Sequence, residues 1–124
     1  MAENGNVCSG DPALIFACSG AADVGQIADM AARKMSKDGA GKMFCTAGLG
    51  GRVEPIMKMT ASASKILAID GCPLNCVKSS LEQAGFNEFI HLQITDLGLE
   101  KGKSPVTDEN VAKVAAKGKE LLTS

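Results

Sequence analysis

Strand-like and helix-like stretches alternate four times along this chain, and that alternation limits the possible folds more than any other feature. Ala13-Leu14-Ile15-Phe16-Ala17 and Lys65-Ile66-Leu67-Ala68-Ile69-Asp70 are short and almost unbroken apolar runs. Such runs suit strands buried on both faces of a sheet. After the first run, Val24, Ile27, Ala28, Ala31 and Met35 recur at helical spacing, and Gly39 and Gly41 stop the pattern. A short strand at Lys42-Met43-Phe44-Cys45 follows, then the glycine-rich TAGLGG at 46–51 and a second helix opened by Pro55. After the second unbroken run, Pro73 fits the first position of a third helix, with Cys72 as its N-cap, Cys76 one turn in and Gly85 closing it. Phe89 to Ile94 alternates, with Ile90, Leu92 and Ile94 facing one way, as an edge strand would. Thr107 caps the last helix, whose stripe is Val111, Val114, Ala115, Leu121 and Leu122.

Strands alternating with helices require a parallel sheet covered on both sides. The expected fold is a single-domain α/β three-layer sandwich of about four strands. The two unbroken runs belong at the centre, giving order 2-1-3-4. Residues 1–12 are polar and are expected to form a flexible N-terminal segment, with the domain over 13–124.

Composition narrows the function. The chain has 124 residues, net charge −1, no Trp or Tyr and only four Phe. Basic patches and stacking aromatics are the means of nucleic-acid binding, so that class is not expected. No apolar run approaches the ~20 residues of a membrane span. The opening MAENGNV lacks the basic-then-apolar pattern of a leader, so a cytoplasmic protein is expected. Five cysteines, an odd number in a reducing compartment, suit metal or thiol chemistry better than a disulfide framework.

Three of those cysteines share one topological position. Cys18 follows the first strand, Cys45 closes the second and Cys72 follows the third. In an open parallel sheet these ends lie along one carboxyl edge. The first and third strands flank the switch point, where such folds form a ligand crevice. Cys76, four residues beyond Cys72, shares its helix face. Four thiolates repel unless a cation compensates them, and an S₄ set suits Zn²⁺ or iron. Zinc at Cys18, Cys45, Cys72 and Cys76 is therefore the leading expectation, with an iron–sulfur cluster as its variant. The alternative is a redox or sulfur-transfer protein using Cys72 or Cys76 as a thiolate at the helix terminus. Packing of small buried hydrophobes is the plainest reading.

The remaining chemistry-bearing residues read more simply. Asp70 is expected as a turn residue before Gly71, or else as a group orienting a ligand. His91, the only histidine, is expected to be structural and away from the crevice. TAGLGG lacks the spacing of a nucleotide loop and reads as a tight turn. The methionines at 30, 35, 57 and 59 read as core filler.

IDGCPLNC at 69–76, with CSG at 18–20, CTAGLG at 45–50 and TDLGLEKG at 95–102, resembles the DGC-domain family. The resemblance runs from the first strand to the last helix, and the family is named for the motif present here as Asp70-Gly71-Cys72. It implies four chelating cysteines, matched motif by motif by Cys18, Cys45, Cys72 and Cys76, and it implies no reaction. Cys8 lies outside these motifs. No protein partner is implied.

Overall fold

The apolar runs form a four-stranded parallel sheet in the order β2-β1-β3-β4. The strands are β1 (Ala13–Ala17), β2 (Lys42–Met43), β3 (Lys65–Asp70) and β4 (Ile90–Gln93). The helices are α1 (Asp23–Lys37), α2 (Thr46–Gly50), α3 (Glu54–Ala61), α4 (Cys76–Gln83) and α5 (Asp108–Thr123), with a 3₁₀ turn at Ile94–Leu97. This is a computed structural model, and it describes residues 12–123; Cys8 and residues 1–11 of the polar N-terminal segment lie outside the described residues.

The alternation of side chains along the central strands divides the core in two. Ile15, Ala17, Leu67, Ile69 and Leu92 face α1 and α5. Leu14, Phe16, Ile66 and Ala68 face Leu49 of α2 and Val77 and Leu81 of α4, with Ile56 and Met57 of α3 at the margin. The result is the expected three-layer α/β sandwich. Ile90, Leu92 and Ile94 all pack on the α1–α5 side, as their alternation requires. The expected α1 stripe is buried throughout, and on α5 only Leu121 stays partly exposed. Thr107 caps α5 by accepting from Asn110 N–H at 3.1 Å.

Four local expectations differ. The strand read over 42–45 ends at Met43, and Cys45 lies beyond it. TAGLGG is not a turn: its residues 46–50 are the helix α2, and Cys45 supplies the cap. The strand reaching Ile94 stops at Gln93, where the chain tightens into the 3₁₀ turn. The helix read from Pro73 starts at Cys76, because Asn75 sits in the left-handed region (φ 54°) and breaks the helical path. The cap is therefore Asn75 rather than Cys72, and Cys76 is the first helical residue rather than the fourth.

The segment 95–104 is fastened to α1 by one carboxylate. The residue before α1, Ala22, offers no side-chain cap. Asp23 instead accepts from Val24 N–H at 2.8 Å, Gly102 N–H at 2.9 Å and Ser104 N–H at 3.1 Å. Gly98 and Gly102 both adopt positive φ, 86° and 83°, which lets the loop curl back to reach it. The Gly102 and Ser104 N–H groups hold the Asp23 carboxyl below its ordinary range. A depressed folded-state value contributes stability that is full above the unfolded value and is lost as pH falls through the folded one. Asp23→Asn should lower the melting temperature at pH 7. The gap to the parent should narrow as pH drops below about 4, and thermal melts followed by circular dichroism across a pH series would show it. A gap that stays constant down to that range would contradict this role.

Candidate functional site

The carboxyl edge is built by the strand ends. β2, β1 and β3 are adjacent, so Cys45, Cys18 and Cys72 emerge side by side along one rim. Strand neighbours are about 4.8 Å apart. All four described cysteines are free thiols, with Cys18 and Cys72 half-buried and Cys45 and Cys76 exposed.

Each sulfur is placed by a distinct local device. Cys18 continues β1 by donating its N–H to Ile69 O at 3.1 Å. Burial pushes its thiol up; the backbone N–H groups of Gly20 and Gly71 work against that shift, and the charges of Asp70 and Cys72 add to it. Cys18 therefore sits directly beside the Asp-Gly-Cys motif. Cys45 caps α2, its Sγ accepting from Gly48 N–H at 3.3 Å. Thr46 pins the same helix start to the end of β1 by donating to Ala17 O at 2.8 Å. Cys76 opens α4, exposed at its first turn.

The loop carrying Cys72 is held from two sides. Asp70, 1% exposed, accepts from Val77 N–H at 2.8 Å and Lys78 N–H at 3.1 Å, the free donors of the first turn of α4. Its Oδ2 also takes the Nε2 of His91 at 2.8 Å. In β4, Gln93 donates to the Cys72 carbonyl at 2.9 Å and to Asn75 Oδ1 at 2.6 Å. Asp70 is thus more than a turn residue: it caps a helix that begins six positions later. His91, bonded to Asp70, is not remote from the edge. In register it lies opposite Ala68, so it shares a face with Asp70 two residues on.

Beside the end of β3, α1 comes close to the backbone. Gly71 packs straight onto the start of α1: a Cβ there would meet the Val24 carbonyl carbon and oxygen at 2.8 Å. An open cleft of about 1290 Å³ lies over the ends of β1 and β2, between α1 and the start of α2. Cys18 and Cys45 line it; Cys72 and Cys76 do not. The four sulfurs share an edge without closing into one tetrahedron. Among the described residues, no group of three or more His, Cys, Asp or Glu side chains is arranged to hold an ion. The donor chemistry suits a thiophilic metal; coordination by all four would need the segments carrying them to draw together.

The DGC domain model matches residues 14–117. The chain belongs to the DGC domain family. A similar protein, the anaerobic and virulence modulator AnvM of Pseudomonas aeruginosa, is 39% identical over 88 residues, covering 71% of this chain and 67% of its own length. No solved structure matches the chain. No helix among the described residues is long and apolar enough to cross a membrane.

Sequence reasoning found the cysteines but missed Gln93 and the reach of Asp70. A signal for Asp70 existed: an acidic residue at a strand end, six residues before a helix with no ordinary cap of its own. Its removal should be costly, because a buried carboxylate with three donors leaves those donors stranded when lost. Asp70→Ala should cost about 3 kcal/mol in urea unfolding, and His91→Ala about 1 kcal/mol, since the half-exposed imidazole can be replaced by water. Equal costs would show that the α4 terminus is not what Asp70 mainly serves.

Proposed function

We propose that this DGC-family protein is a small metal-binding protein, with Cys18, Cys45, Cys72 and Cys76 as the ligands of one zinc ion. The observation that carries this reading is the emergence of three free cysteines from three adjacent strand ends, with the fourth on the helix that follows. Thiols gathered in this way repel one another when ionised, and an ion is the ordinary means of compensating them. Burial of Cys18 disfavours a bare thiolate there, and a bound cation would offset that. Binding of this kind can contribute on the order of 10 kcal/mol to folding, and four thiolates would make a closed, structural site. Four thiols without a disulfide suit a reducing compartment, and the cytoplasm is the location we propose.

A second reading keeps the same edge and replaces the ion with a reactive thiol. Cys76 favours it, because it is exposed at the first turn of α4. Redox or sulfur-transfer chemistry would then fall to Cys76 or Cys72. AnvM is, by its name, an anaerobic and virulence modulator. By that analogy, a regulatory role would suit a zinc-stabilised module as well as an enzyme.

Elemental analysis of the full chain, purified without added metal, should give about one zinc per chain. Cys72→Ser/Cys76→Ser should abolish it. Metal content that survives the double replacement would rule the site out. Visible absorption of the purified protein would indicate an iron–sulfur cluster instead. In metal-free protein, one thiol reacting well below pH 7 would favour the reactive-thiol reading.

A further inference from the structure

The cleft over the β1 and β2 ends carries more charge than a metal site requires. On α1, Asp29, Arg33 and Lys37 recur every four residues and so share the face that forms one wall. Lys42 of β2 stands on the other side. Three cations therefore meet one carboxylate, and that carboxylate is already engaged. Asp29 accepts from Arg33 Nε at 2.7 Å and from the Ser19 hydroxyl at 2.8 Å. Burial works against its charge, but the Arg33 and Ser19 bonds prevail and hold its carboxyl below the ordinary range.

Asp29 consequently orients Arg33 more than it cancels the field. Arg33 is held by Nε, and its terminal nitrogens make no hydrogen bond among the described residues. Lys37 and Lys42 have no ion-pair partner among the described residues. Ser19 reaches Asp29 from a left-handed backbone conformation, φ 50°, unusual for a residue with a side chain. The β1 end is thus bent toward α1 where the cleft opens.

Part of the wall is apolar and fixed. Met43 and Phe44 line it. Phe44 is held edge-on against buried Phe16, with ring centroids 6.0 Å apart at 82°. The Met43 N–H is tied to Ser36 Oγ at 3.1 Å, which holds β2 against α1. A cleft with donors on both walls and a fixed apolar patch beside Lys42 selects a ligand of matching polarity.

We propose that this cleft binds a small organic dianion, a phosphate monoester or a dicarboxylate on an apolar body. The charged end sits among Arg33, Lys37 and Lys42, with Arg33 able to grip an oxyanion through two nitrogens. The apolar end rests on Phe44 and Met43. Such a ligand would lie beside Cys18 and Cys45, yet it draws on neither thiol.

Isothermal titration calorimetry on the full chain tests this, with phenyl phosphate, inorganic phosphate and benzyl alcohol as probes. Phenyl phosphate should bind saturably and more tightly than either of the others, and less tightly as salt is raised. K37Q/K42Q should weaken its binding about tenfold, while K113Q, on exposed α5 surface, should leave it unchanged. Both lysines of the double variant are exposed, and matching thermal melts would show the fold intact. Phthalate binding with the same response to K37Q/K42Q would widen the class to dicarboxylates; its failure would narrow it to phosphate esters. The proposal is overturned by no saturable phenyl phosphate binding up to about 10 mM. It is also overturned if parent and K37Q/K42Q bind equally, or if benzyl alcohol binds as tightly as phenyl phosphate.

Discussion

The buried carboxylate of Asp70 is the contact on which the carboxyl edge depends. A carboxylate in the interior is tolerated only when donors surround it. Here the donors come from α4 and from β4, so a single side chain joins the end of β3 to the helix after it and the strand beside it. Without that tie, the loop from Gly71 to Asn75 would keep its bonds from Gln93, and the first turn of α4 beyond it would lose its cap. The family motif then divides into three physical tasks. Asp70 fixes the helix terminus, Gly71 lets α1 approach the backbone directly, and Cys72 presents its sulfur next to Cys18.

Strand order was legible because burial leaves a strong mark. Leu14–Ala17 and Ile66–Ile69 are apolar at every position, which only central strands of a covered sheet require. The helix faces of α1 and α5 were equally plain, since Ile27, Ala31 and Val114 sit on stripes the 3.6-residue period predicts. What escaped was short and polar. Five-residue α2 is too brief for periodicity to register, and its glycines imitate a turn. The start of α4 was misplaced because Pro73 suits a first helical position in general, whereas the left-handed Asn75 is fixed by a bond from Gln93, 18 residues away.

The candidate site shows the same division. Topology alone brought Cys18, Cys45 and Cys72 to one edge, as their places after successive strands required. The open cleft lies on the β2 side, lined by Cys18 and Cys45 and not by Cys72 or Cys76. At the end of β3, Gly71's missing side chain lets α1 approach the backbone directly. Sequence spacing carries no trace of such a close approach. The cleft's cations carry no signal in the sequence: Arg33 and Lys37 meet Lys42 only once β2 packs beside α1.

The edge therefore carries its thiols along the ends of adjacent strands, with Ser19 and Asn75 in left-handed conformations beside them. Drawing those thiols onto one ion is the central claim, and X-ray absorption at the zinc edge of the purified protein tests it most directly. Four sulfur neighbours at about 2.3 Å are the expected shell. A shell dominated by oxygen or nitrogen, or one with fewer than three sulfurs, would contradict it.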